Sequence, residues 1–237
     1  MTVVLCAFAI LVGLGTWQLQ RRAWELDLIQ RIEARVHAPA APVPPAADWP
    51  GLDRERDEYR HLAARGTFDH ARETLVYTVG GKGLGPYEGA PGFLVITPLM
   101  RADGPPILVN RGFVPVDRRD PKTRAEGEVS GEVEVTGALR FPEEASYFVP
   151  ANDPAHNAFY RRDPADIAAA RGLAGAAPFI IDQDAGAAPG GFPMSAGTRV
   201  DLPNRHLEYA LTWYGLAATL LGVVAAVVIS RRRRGQG

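Results

Sequence analysis

Cysteine is almost absent. Of 237 residues only Cys6 carries a thiol, so no intrachain disulfide can form and no cysteine pair exists to hand on copper. Methionine stands only at Met1, Met100 and Met194, which removes the thioether clusters that would serve the same metal. Serine is confined to Ser130, Ser146, Ser195 and Ser230, none of them in the G-x-S-x-G setting of an acyl-transfer nucleophile. The spacing H-E-x-x-H is missing. His61, His70 and His156 have no cysteine nearby and read as surface or hydrogen-bonded histidines rather than zinc ligands. A net charge of −1 lacks the basic excess of a nucleic-acid binder. These absences leave little for catalysis, and the chain reads as a non-enzyme.

What the sequence does have is two long uncharged runs. Residues 211–229 contain no charge, and at about 1.5 Å per residue that length nearly spans the ~30 Å hydrocarbon core. Tyr209, Trp213 and Tyr214 sit at its leading end as interfacial aromatics, and four arginines at 231–234 close it on the side expected to be cytoplasmic. The second run, 1–17, reads as an uncleaved membrane helix. No basic residue precedes its core, and an amphipathic stripe of Trp24, Leu28, Ile32 and Val36 follows where a signal peptide would have its cleavage region. Both termini are then cytoplasmic and the middle of the chain is outside. Arg21 and Arg22 count against that topology and are offset locally by Glu25, Asp27 and Glu33.

The segments follow from this pattern. Residues 1–36 are expected as transmembrane helix 1 with an amphipathic stalk, and 37–58, rich in proline and alanine, as a linker. A β-rich extracytoplasmic domain takes 59–202, transmembrane helix 2 takes 203–230, and 231–237 is a basic tail. Within the domain, strands are expected at 59–68, 73–79, 92–99, 106–115, 131–141, 178–182 and 198–202. One helix is expected at 164–171, with Asp163 as N-cap, Pro164 at N1 and Gly172 as the stop. The fold class is therefore an integral membrane α+β protein: two transmembrane helices flank a mainly antiparallel, barrel-like domain with one short helix. The glycine-rich stretch 80–92 fits neither a P-loop nor a dinucleotide fingerprint and reads as a mobile loop between strands. Asn110, Arg111 and Gly112 interrupt an apolar strand, which predicts a bulge or turn there.

His206 stands at the head of a membrane helix, where a histidine must be solvated, paired or bound to a ligand. It shares a helix face with Ala210 and Trp213, which leaves room for a flat ligand beside an aromatic wall. Imidazole is the commonest protein ligand of heme iron, and a histidine solvated among headgroups is the other reading.

Four blocks, LGTWQLQRR at 14–22, LVNRGFVP at 108–115, FVPANDP from Phe148 and NRHLEYALTWYGLA at 204–217, resemble the Surfeit locus protein 1 family, in the family's order and over nearly the whole chain. The resemblance implies an assembly factor for cytochrome c oxidase, in which bacterial members are associated with binding heme a and helping its delivery to oxidase subunit I. It implies His206 as axial ligand of the heme iron, with Tyr209 and Trp213 lining the site. Trp17 and Arg21, four apart on the first helix, would flank the porphyrin or its propionates, or else serve as an interfacial anchor and a lipid-phosphate contact. The implied partners are subunit I, other oxidase assembly factors and the lipid bilayer. A scaffold that stabilises an oxidase intermediate through the β domain without heme is the alternative. No transit segment precedes the first helix, so a bacterial inner membrane with the domain in the periplasm is the expected location.

Overall fold

A computed structural model of the chain describes residues 2–144, 146–198 and 204–234. It forms two compact units, one built from most of the two terminal helices and the other from the chain between them. Helix α1 (Thr2–Val36) is unbroken, so the apolar run and the expected stalk are one element.

The stretch 37–58 is not the free linker its composition predicts. β1 (Ala41–Pro42) adds in parallel to β2 (His61–Phe68), at an edge where proline's missing N–H costs no ladder bond. Val43 and Trp49 are buried in the domain core. The indole packs edge-on to Phe179 at 5.7 Å and its Nε1 donates to Pro44 O. Burial of that large ring outweighs the linker-like composition around it. A short turn of helix, α2 (Arg54–Asp57), follows, capped by Asp53.

The remaining elements are β3 (Thr74–Val79), β4 (Pro91–Met100), β5 (Ile107–Pro115), β6 (Glu132–Arg140), α3 (Pro164–Arg171), β7 (Ile180–Gln183), β8 (Gly186–Ala187), β9 (Met194–Ser195) and α4 (His206–Arg234). The sheet closes on itself: β2 pairs with β4, β4 with β5, β5 with β7, β7 with β6 and β6 with β2. All of these are antiparallel except β5 with β7, which run parallel over Leu108–Asn110 and Ile180–Asp182. The expected strand at 198–202 lies outside the described residues apart from Thr198, which is not in a strand. Two-residue β8 and β9, too short to carry a periodicity, were not foreseen.

β5 is buried along its whole length because it faces two cores. Ile107 and Val109 pack inside the barrel with Leu62, Leu99 and Leu139, whereas Leu108 turns outward to Ile167 of α3, Phe159 and Ile180. A strand covered on both faces reads as a continuous apolar run, as LV and FVP do here. α3 has the expected bounds. Asp163 accepts from the backbone N–H of Ala165 and Asp166, Pro164 starts the helix, and Gly172 ends it in the left-handed region. The 80–92 loop is a tied hairpin connection: Gly80 N donates to Ala90 O, Gly89 N to Gly80 O, and Leu84 is buried.

Asp57 anchors the entry to the barrel. Its carboxylate is almost fully buried and accepts from Asp53 N, Arg56 Nη2 and Arg60 Nη1 at 2.6–2.9 Å. Burial alone would raise its pKa, but these hydrogen bonds outweigh it and hold the group at about 2. A carboxylate whose folded value is depressed stabilises the fold above its unfolded value and loses that contribution as pH falls through the folded one. Acid titration should therefore remove on the order of 2 kcal/mol between about pH 4 and pH 2. Stability measured against pH should lose that slope in Asp57→Asn; an unchanged slope would mean that other groups carry it.

α1 and α4 are each long and apolar enough to cross a membrane, and the protein itself buries almost none of either apolar stretch. Val3, Leu5, Ile10, Leu216, Leu221 and Val223 all face outward, an arrangement that lipid satisfies and water does not. The two helices meet through small residues. Gly15, Ala210 and Ala217 are buried, Thr16 Oγ1 lies 3.0 Å from Tyr214 Oη, and a Cβ at Gly15 would stand 2.8 Å from the Tyr214 ring.

Candidate functional site

His206 opens α4 and is held by α1 through both ring nitrogens. Nδ1 lies 2.6 Å from Gln18 Oε1, and Nε2 lies 3.0 Å from Glu25 Oε1. Gln18 and Glu25 are seven apart and so fall on one helix face, three and ten residues beyond the Gly15 that admits Tyr214. The close approach at Gly15 brings α4 near enough for an imidazole to reach polar groups about one and about three turns further along α1. Glu25 also faces Arg21, whose Nε is 3.9 Å from Oε1 and whose guanidinium lies 4.2 Å from the centroid of the Trp24 ring. The second carboxylate oxygen, Glu25 Oε2, is buried without a hydrogen-bond partner.

Of the residues singled out in the sequence, the structure joins His206 to Arg21 by way of Glu25. Trp17 and Tyr209 remain about half exposed and Trp213 partly buried, and no hydrogen bond among the described residues ties these three to the cluster. Trp17, Arg21 and Trp24 follow one another at i, i+4 and i+7 along one side of α1. Gln18 and Glu25 were not foreseen as partners. Their signal was the recurrence of polar side chains at i and i+7 on the face that carries Gly15.

The donor set suits an imidazole ligand with one exchange. A ligating histidine is oriented by a hydrogen bond from its other ring nitrogen, and Gln18 Oε1 is placed to accept that bond from Nδ1–H. The 3.0 Å contact between Nε2 and Glu25 Oε1 is a hydrogen bond when a proton lies between them, so a metal reaches Nε2 only when that proton leaves and Glu25 withdraws. Glu25 is mostly buried beside a cation and has one unsatisfied oxygen, hence an incomplete hold on its place. Arg21 supplies a half-exposed cation for carboxylates at the same level.

The other histidines have different duties. His61 bonds Ala38 O and Asp184 Oδ2, His70 Nε2 lies 2.9 Å from Val129 O, and His156 pairs with Asp153. Among the described residues no group of three or more His, Cys, Asp or Glu side chains is arranged to hold a metal ion. The expected bulge is present. Leu94 pairs with Phe113 and Ile96 with Asn110, so Arg111 and Gly112 oppose Val95 alone. Asn110 secures it, with Nδ2 donating to Asp182 and Oδ1 accepting from Gly112 N.

Comparison with known proteins agrees along most of the chain. A family description, the SURF1 family, matches residues 5–218. Surfeit locus protein 1 of Xenopus tropicalis is 42% identical over 218 residues, covering 87% of this chain and 68% of the frog protein. The Homo sapiens protein of that name is 42% identical over 216 residues, 87% of this chain and 70% of its own length. A SURF1-like protein of Monosiga brevicollis is 39% identical over 94% of this chain and 84% of its own.

Proposed function

The chain belongs to the SURF1 family, and from that membership we propose that it is a membrane-anchored assembly factor of cytochrome c oxidase that binds heme a and assists its insertion into subunit I. The observation that carries the heme reading is the seating of His206 at the head of α4, with Nδ1 held by Gln18 and Nε2 turned to an exchangeable carboxylate. Heme a, when bound, contributes an iron that accepts one imidazole nitrogen. His206 would provide that nitrogen, Gln18 would keep the ring oriented, and Arg21 would be the cation available to a propionate. Trp17, Tyr209 and Trp213 offer flat apolar surface along the two helices. Glu25 would take Nε2 back once that nitrogen regained a proton from solvent, which would keep binding loose enough for a carrier. No covalent bond of the cargo is made or broken. The location proposed with this role is a bacterial inner membrane with both termini cytoplasmic and the domain periplasmic, supported by the arginines that close α4. The β domain docks on subunit I or on other assembly factors.

A second reading, a heme-independent scaffold acting through the β domain, is favoured by one observation: both nitrogens of His206 already have partners within the protein. The visible spectrum of detergent-purified protein from cells that make heme a separates the two. A heme a spectrum is expected in the parent and its loss or displacement in His206→Ala, while Gln18→Leu should weaken retention roughly tenfold. Colourless parent protein from cells that contain heme a would favour the scaffold.

A further inference from the structure

Arg111 enters one mouth of the barrel as a cation that no carboxylate among the described residues meets within salt-bridge distance. The bulge aims it inward, and its guanidinium lies 4.7 Å from the ring centroid of Phe68, a core residue. Only 5% of the residue reaches solvent. Nη2 donates to Gly127 O, but Nε and Nη1 have no hydrogen-bond partner among the described residues. Glu73, a carboxylate that acts on it, is held by Arg124 in a two-point pair. Burial draws Arg111 down to about 10, with Arg124 acting in the same sense and Glu73 and Glu128 opposing, so at neutral pH it is still a cation. A buried charge without a close counter-ion is among the costliest arrangements in a fold, and each unpartnered N–H of the guanidinium is a charge-assisted donor for a carboxylate oxygen.

The side chain borders a cavity of about 360 Å³, at the small end of ligand pockets, in the kind of barrel mouth where such pockets occur. Phe68, Val133 and Val135 give it an apolar wall, and the β7–β8 turn with Ala185 and Ala187 forms the rim. Two acidic groups, Glu134 and Asp184, also border it. Asp184 Oδ2 is already engaged by His61 and Thr136. Those carboxylates repel a multiply charged anion, whereas a single carboxylate can lie on Arg111 with its hydrocarbon part against the valines. We propose that this barrel mouth is a binding site for the carboxylate of a small, partly apolar organic acid, with Arg111 as its anchor. It lies wholly in the β domain and does not depend on the heme reading.

Titration of the full-length protein in detergent with hexanoate at constant ionic strength tests it, with inorganic phosphate and chloride alongside. Hexanoate should bind one per chain and raise the thermal midpoint by several degrees, with chloride producing neither effect. Arg111→Met, which keeps a stem against Phe68 without the charge, should abolish binding, and Arg111→Lys should weaken it at least about tenfold by losing the fixed, planar set of N–H donors. Should Arg111→Met fail to fold, Ala187→Trp on the exposed rim blocks the entrance with the arginine intact and should abolish binding equally. Folded parent protein that shows neither heat nor shift overturns the proposal. So does hexanoate binding that survives in a folded Arg111→Met or in Ala187→Trp. Phosphate binding more tightly than hexanoate would overturn the carboxylate assignment.

Discussion

Gly112→Ala should destabilise the β domain by about 3–5 kcal/mol, a large share of the roughly 5–15 kcal/mol by which a folded domain is typically stable. Two effects add. At φ +119° the backbone is in a region that residues with a Cβ adopt only under strain, on the order of 1–3 kcal/mol. In addition, the new Cβ would stand 2.4 Å from the carbonyl carbon and oxygen of Met194 and 2.6 Å from Ser195 N, all main-chain atoms of β9 that cannot rotate away. Relief requires β9 to leave β5, where Phe113 pairs with Met194. Gly131 separates the two effects, since it has φ +85° but open space around its Cβ position. Gly131→Ala should therefore cost only about 1–2 kcal/mol. Chemical denaturation of both variants checks this, and equal losses would show that close approach of β9 contributes nothing.

Asp182→Ala should cost about 3–5 kcal/mol by a different route. Asp182 is the anion at the centre of a buried polar cluster: it accepts from Arg162 Nη1 at 2.8 and 2.9 Å, from Asn110 Nδ2 at 2.8 Å and from Arg140 Nη1 at 3.4 Å. Burial of the Arg162 guanidinium opposes its charge, but Asp182 and Glu143 outweigh burial and hold its pKa above the usual arginine value. Removing Asp182 leaves two mostly buried guanidinium groups to share Glu143 and Glu58, and it frees Asn110, which fixes the Arg111–Gly112 bulge. The loss should be read as a fall in unfolding midpoint. The exposed pair Arg65–Glu134, with side chains 72% and 53% exposed, supplies the contrast: Glu134→Ala should change stability by no more than about 0.5–1 kcal/mol. A similar loss in both variants would mean that burial does not set the value of these pairs.

The same cluster explains why the barrel was only partly legible in the sequence. Alternation in Glu132–Arg140 and turn residues around the other strands located the main strands, because a strand with one wet face writes its period into neighbouring residues. The parallel pairing of β5 with β7 and the closure of the ring leave no such period, since they join segments some seventy residues apart. The linker expectation failed at Trp49, whose burial depends on Phe179, a partner no local pattern names.

In the candidate site, His206 stood out because a histidine within reach of the bilayer is costly, and Arg21 because the block 14–22 that holds it resembles the family. Gln18 and Glu25 became partners only through the approach of α4 at Gly15. By itself the sequence determined two helices fit for a membrane, the capped helix α3 and an interruption, bulge or turn, at Asn110–Gly112, because length, charge, caps and glycine act on adjacent residues. The tertiary structure alone decided how the barrel closes, what holds both nitrogens of His206 and which buried arginine has no salt-bridge partner among the described residues. Those outcomes depend on pairings between distant segments, and local chemistry does not encode them.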